Sequence, residues 1–133
     1  MDADAELKEI NGKCRHLPEV LAVRVNIYDG MMQVFSKKLA LCDPEDVQGW
    51  IDWANATRWS ESIEAAKSIL LEVVKKHPHE PLVYYDLACY ECQLGDLLRS
   101  MKHLKKAFKL DPEYRIYALE DEDLMPMWMM LGD

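Results

Sequence analysis

The chain contains no apolar run near the roughly 18 residues that a membrane-spanning helix needs. Its opening, Met1-Asp2-Ala3-Asp4-Ala5-Glu6, is acidic where a secretory leader is basic, and no apolar stretch follows it. These absences lead us to expect a cytoplasmic protein. There Cys14, Cys42, Cys89 and Cys92 are reduced thiols. Positive charge is also in short supply: 16 Lys and Arg face 24 Asp and Glu, for a formal net charge of −8. Such a chain repels nucleic-acid phosphates and anionic membrane surfaces. Neither is an expected partner, although the total leaves room for a local basic stripe. Glycine-rich phosphate loops are missing, as is any Ser-His-Asp or Cys-His order with a recognisable local signature. We therefore expect no catalytic residues, no cofactor and no enzyme activity.

What the chain does have is a period. With 133 residues, half of them apolar, it has the size of one domain with a real core. Pro44, Pro78 and Pro112 follow one another at intervals of 34 residues. At that same interval Trp50 is matched by Tyr84, Trp53 by Leu87 and Ala54 by Ala88. Later in the unit Ile63 is matched by Leu97, Ala66 by Ser100, Leu70 by Leu104 and Val73 by Ala107. Small residues let the two helices of a hairpin approach, and large ones fill the space between hairpins. One hairpin alone buries too little surface, so stacking is required. Local punctuation agrees. Gly95 ends one helix and Asp96 caps the next, with Ser60 as the expected cap in the preceding unit. Asp43-Pro44 and Asp111-Pro112 read as a capping oxygen before a proline of the first helical turn. Ile63, Ala66, Ile69, Leu70, Val73 and Val74 form a helical stripe.

Residues 81–112 resemble the tetratricopeptide repeat family through Tyr84, Leu87, Ala88, Gly95, Leu104, Ala107 and Pro112. Residues 47–80 are a second good match, and residues 13–46 look like a degenerate unit with His16 where the large aromatic belongs. In that unit Val20 and Val23 fall in the first helix, Met32 and Leu39 in the second, and Gly30 near the hairpin turn. Residues 3–12 read as a leftover half-hairpin. Departures from the family are Thr57 and Glu91 in place of an aromatic, and Ser100 in place of alanine. The resemblance implies an all-α superhelical solenoid of about three helical hairpins over residues 1–133. The units are 13–46, 47–80 and 81–114, and 115–133 is a C-terminal cap. In the cap, Leu124, Met127, Trp128 and Leu131 share one face, which predicts that Trp128 is mostly buried against Leu97, Met101 or Leu104, in the same chain or a swapped one. Asp123 is the expected cap of a short final helix.

The resemblance also implies a concave groove that binds a peptide or a protein surface. Its lining would be Gln48, Ile51, Asp52, Asn55, Arg58 and Trp59 from the second unit. The third unit would add Leu82, Tyr85, Asp86, Cys89, Cys92 and Gln93. Some family members grip the C-terminal carboxylate of heat-shock chaperones with Lys, Arg and Asn. Here only Asn55 suits an anion, and Asp52 and Asp86 repel one. The expected ligand is a peptide with apolar anchors and a basic residue. Two other functions stay open. One is self-association through the ends of the repeat stack, giving a homo-oligomer. The other is thiol-based redox sensing by Cys89 and Cys92. Cys89-x-x-Cys92 lacks the second ligand pair of a zinc site and the βαβ setting of a thioredoxin motif, so a packed or groove-lining thiol pair is expected. His77-Pro78-His79 and Glu120-Asp121-Glu122-Asp123 read as solvated turns, the latter lacking the spacing of a calcium loop. No metal is expected.

Overall fold

The computed structural model describes residues 18–132, with side chains from residue 30 onward. The expected half-hairpin 3–12, the His16 position and Cys14 lie outside the described residues. Among the described residues every regular element is helical. The chain forms two compact units, residues 1–62 and 63–133. The helices of the second sequence repeat, 47–80, thus fall one in each unit.

The first unit is a hairpin of α1 (Pro18–Cys42) and α2 (Val47–Ser60), which pack against each other. Pro18 opens α1, where a missing N–H costs nothing. The turn expected at Gly30 is absent, because α1 runs straight through it for 25 residues. A lone glycine weakens a helix by about 1 kcal/mol against alanine but does not stop it. No proline follows Gly30 inside the segment, and apolar residues resume at once with Met31, Met32, Val34 and Phe35. The hairpin closes on small residues. Ala40 and Ala54 are fully buried. Gly49 sits so close to α1 that a Cβ placed there would lie 3.6 Å from the Ala40 Cα.

The second unit contains α3 (Ile63–Lys76), α4 (Pro81–Gln93), α5 (Leu97–Leu110), the five-residue α6 (Tyr114–Ala118), a 3-10 turn (Glu122–Met127) and the single turn α7 (Trp128–Leu131). α3 packs against α4, and α4 against both α5 and the 3-10 turn. α4 is the centre of this unit: Val83, Tyr85 and every residue from Leu87 to Cys92 are buried. By contrast α5 buries only Ser100, Leu104 and Ala107, and exposes a row of lysines. The Ser100 hydroxyl donates 2.7 Å to the Ala88 carbonyl. This contact accounts for serine at the position where alanine was expected, since it satisfies a buried hydroxyl.

The 34-residue period is present in the backbone itself. After α1, α3 and α5 the chain turns through the same two hydrogen bonds. Asp43, His77 and Asp111 donate their N–H groups to the carbonyls of Leu39, Val73 and Ala107, at 3.0, 2.8 and 2.8 Å. Their own carbonyls accept from the N–H groups of Asp46, Glu80 and Tyr114, at 3.1, 3.4 and 3.2 Å. The matched aromatics repeat a contact too. Trp50 Nε1 donates 3.0 Å to the Pro44 carbonyl, and the Tyr84 hydroxyl donates 2.9 Å to the Pro78 carbonyl. Each large ring is tied to the turn that precedes its helix.

The helix ends shift several of the expected caps. Asp111 accepts from the Glu113 N–H at 3.1 Å, but Pro112 lies in the turn and α6 starts only at Tyr114. Pro44 lies in the turn, and the cap of α2 is Asp46, whose carboxylate accepts from the Gln48 N–H at 3.1 Å. Pro81 takes the proline position at the start of α4. Ser60 is the last residue of α2, its hydroxyl donating 2.7 Å to the Ala56 carbonyl with the Gln33 side chain 2.9 Å away, so it does not cap α3. Gly95 behaves as expected, with φ at +88°. Its N–H reaches the Cys92 carbonyl and the Asp96 N–H reaches the Glu91 carbonyl. This is the glycine-terminated helix end that an L-residue adopts only with strain. Asp96 then caps α5 through the Arg99 N–H at 3.0 Å.

The tail folds back on its own chain. Leu124 and Met127 are fully buried, and Leu131 is 4% exposed. They join Tyr85, Cys89, Cys92 and Leu104 in one cluster. Trp128 packs at the edge of that cluster and is only half-buried. Its indole N–H donates 3.0 Å to the Ala118 carbonyl at the end of α6, which holds one edge of the ring at the rim. Asp121, not Asp123, caps the 3-10 turn, accepting from the Asp123 N–H at 3.0 Å, and α7 follows with no side-chain cap.

Candidate partner-binding surfaces

The expected groove residues lie on two helices, α2 and α4, with different fates. On α2, Gln48, Asp52, Asn55 and Trp59 recur at helical spacing and are all exposed. The Gln48 amide donates 2.8 Å to Asp52 Oδ1 one turn on, which fixes the polar end of this stripe. At the other end the Arg58 guanidinium lies over the Trp59 ring, 4.5 Å from its centroid. That ring is 64% exposed. A stacked arginine and an exposed indole are the two side chains that most often anchor protein interfaces. Ile51, expected in the same lining, is buried and serves the hairpin core instead.

On α4 the corresponding face is already covered, by the tail. Leu82 and Asp86 are half-buried at its margin and Gln93 is exposed, whereas Tyr85, Cys89 and Cys92 are buried. The Tyr85 hydroxyl donates 2.8 Å to Asp121 Oδ2. The Cys89 thiol reaches the same oxygen at 3.8 Å. The Gln93 amide donates 2.8 Å to the Asp123 carbonyl. The Tyr114 ring lies 5.2 Å from that of Tyr85 and completes the enclosure. Burial, the Asp121 hydrogen bond and the nearby Cys89, Asp121 and Asp86 charges push the Tyr85 phenol far above its ordinary range. Burial also raises Tyr114, helped by Asp111 and Asp86.

Residues 120–123 are thus no solvated turn as a whole: Asp121 and Asp123 are half-buried, while Glu120 and Glu122 are exposed. One sequence signal pointed this way. Asp121-x-Asp123 stands just before the apolar residue Leu124, the pattern of a helix cap. Nothing in the sequence, however, assigned the Tyr85 and Cys89 contacts.

The tail also assembles a group of possible metal ligands. Cys89 Sγ and carboxylate oxygens of Asp121 and Asp123 lie within 4.8 Å of one another. Asp121 is engaged through both oxygens, by Tyr85 and Cys89 on one and by the Asp123 N–H on the other. These hydrogen bonds hold the Asp121 carboxylate in place. Cys92 is pushed up first by burial and then by Asp123 and Asp121, with the Ser100 hydroxyl acting the other way. A thiol held protonated is a poor nucleophile.

Glu91 and Thr57 stand where the repeat pattern asks for an aromatic. Glu91 is buried and pairs with Lys67 of α3 at 3.1 Å. Thr57 is buried too, and its Oγ1 has no hydrogen-bond partner among the described residues. No helix among the described residues is long and apolar enough to cross a membrane. The chain matches no family model, no curated protein and no solved structure.

Proposed function

We propose that this chain is a non-enzymatic binding module built from tetratricopeptide-like hairpins stacked into a short solenoid, which holds a protein or peptide partner. The observation that carries this reading is the threefold recurrence, every 34 residues, of one hydrogen-bonded turn after α1, α3 and α5. Repeats of this kind display the same helix face again and again, and binding surfaces are what such displays serve. The exposed stripe from Gln48 to Trp59, with Arg58 stacked on the indole, supplies the anchors. The covered face of α4 adds a condition: a partner that uses Tyr85 or Cys89 must displace the tail.

The test is capture of partners from the native cell lysate by wild-type protein and by Trp59→Ala and Arg58→Ala. Trp59 is exposed and Arg58 half-buried, so circular dichroism of both variants is the control that the helical fold is kept. A partner retained equally by all three proteins would sink the assignment of the anchors. Failure to capture any partner that saturates would sink the binding reading.

A second reading, self-association, has its own observation. Val34, Phe35, Leu39 and Leu41 on α1 are each about half exposed. An open cleft of about 350 Å³ lies between Gly30, Met31, Val34, Phe35 and Lys38. Sedimentation of wild type and Phe35→Glu decides between the two. A dimer that dissociates on substitution favours self-association, and a concentration-independent monomer excludes it. Redox sensing by Cys89 and Cys92 is the weakest reading, because both thiols are buried and Cys92 is held protonated.

A further inference from the structure

One surface in this acidic chain carries the opposite charge. Lys102, Lys105, Lys106 and Lys109 on α5, with His103 and Tyr84, line an open cleft of about 470 Å³. Lys102, Lys106 and Lys109 fall at i, i+4 and i+7, so they share one face over roughly 10 Å of helix. Lys106 Nζ lies 5.8 Å from the centroid of the Tyr84 ring, and the Tyr84 hydroxyl is fixed on the Pro78 carbonyl. The four lysines make no ion pair among the described residues, whereas Lys67, Lys75 and Arg99 each have a carboxylate.

That arrangement is unfavourable for the isolated chain. Lys102 with Lys106 and Lys105 with Lys109 are like-charge pairs at i,i+4. Lys102 with Lys105 and Lys106 with Lys109 are like-charge pairs at i,i+3. Each such pair weakens a helix. The helix dipole favours a cation only in the last turn, which accounts for Lys109 alone. Carboxylates outnumber cations in this chain, 24 to 16, yet among the described residues none forms an ion pair with the row. A concave, aromatic-floored cleft with uncompensated positive charge is complementary to an anionic ligand.

We propose that this cleft is a second binding surface, distinct from the α2 stripe, that takes a short acidic peptide segment of a partner protein. The net charge of −8 selects among anions. A long nucleic acid or an anionic membrane meets the repelling field of the whole chain. A few carboxylates in an extended segment span the lysine row and meet only the local field. The Tyr84 ring offers an apolar contact for the peptide backbone or an intervening side chain.

The probe is a fluorescent peptide of alternating Asp, Glu and Gly with both ends blocked, followed by anisotropy on the full chain. The expected result is saturable one-to-one binding that weakens as salt rises. It should weaken at least tenfold in Lys102→Gln/Lys106→Gln/Lys109→Gln. The control Lys75→Gln/Lys76→Gln removes charge from exposed lysines elsewhere and should leave affinity within about twofold. Thermal melts of both variants confirm that the fold is kept. Three outcomes overturn the proposal: no binding at low salt, equal loss in the two variants, or tighter lysine-dependent binding of a single-stranded oligonucleotide or of anionic lipid vesicles. Trp59→Ala should leave this binding unchanged, so failure here is separable from failure of the α2 surface.

Discussion

Leu124 tests whether the tail is part of the folded core or merely rests on it. Its side chain is fully buried, in the cluster with Tyr85, Cys89, Leu104 and Met127. Replacing a buried leucine with alanine removes the transfer energy of its lost carbons and leaves a cavity, together on the order of 2–5 kcal/mol. The site can partly collapse, because the 3-10 turn is short and held at its start by Asp121. The lower half of that range, about 2–3 kcal/mol, is therefore expected. For a chain of this size each kcal/mol moves the melting temperature by roughly 4 °C, so Leu124→Ala should melt about 8–12 °C below wild type. Met129→Ala is the matched control: that side chain is 91% exposed, and its loss should shift the melt by less than about 2 °C. The assay is thermal unfolding followed by circular dichroism at 222 nm. Truncation after Leu119 should exceed the point substitution, since it also removes Met127, Leu131 and the Asp121 contacts, and should promote aggregation by baring α4. If Leu124→Ala melts with wild type, the tail does not cover α4 in solution, and the face with Tyr85, Cys89 and Cys92 is exposed there.

Ala54→Trp and Ala88→Trp should each destabilise by roughly 1–3 kcal/mol through overpacking, since both positions are fully buried; neutral urea curves at both would show that the repeat register is wrong. Gly95→Ala should cost about 1 kcal/mol, read the same way, because its φ of +88° favours glycine. Lys67→Ala strands a buried carboxylate on Glu91 and should cost about 2–4 kcal/mol, less than a wholly buried pair because Lys67 keeps some solvent access. Lys67→Met combined with Glu91→Leu should recover most of that loss, and a double variant as weak as the single would show that Glu91 has another essential partner. His103 is held below its ordinary value by burial and by Lys102, Arg99 and Lys67, with Glu91 opposing. A histidine depressed in the fold stabilises while neutral, and that contribution is lost as pH falls through about 6.5 and below. The stability of wild type should therefore drop from pH 7 to about 5.5 more steeply than that of His103→Asn, and parallel curves would exclude this role.

What the sequence made legible is what is local. The proline-marked turn closes through bonds that span three or four residues, and the ring-to-turn contacts span six. Residue types at such short separations carry the whole instruction, so the 34-residue period emerged from spacing alone. Gly95 was legible for the same reason: only its own φ and the two preceding carbonyls are involved. Gly30 misled because a glycine marks a turn only when other signals agree. There a degenerate unit offered neither a proline nor a polar cluster beyond Asp29. Ser60 misled by two residues, within the ordinary fraying of a helix end.

The tail shows where local reading stops. Its apolar spacing was enough to mark Leu124, Met127 and Leu131 as a buried face, because periodicity needs no knowledge of the surface it meets. The polar contacts that seat the tail were out of reach. Tyr85 to Asp121, Cys89 to Asp121 and Gln93 to Asp123 are separated by 36, 32 and 30 residues. Nothing in the residue types at either end singles out these pairs from the many acids in the chain. The consequence bears on function. Tyr85, Cys89, Cys92 and Gln93 were expected to line a groove, and in this structure they meet a segment of their own chain. The repeat spacing marked the α4 face without marking what covers it, and the contacts that cover it lie 30 or more residues away in the sequence.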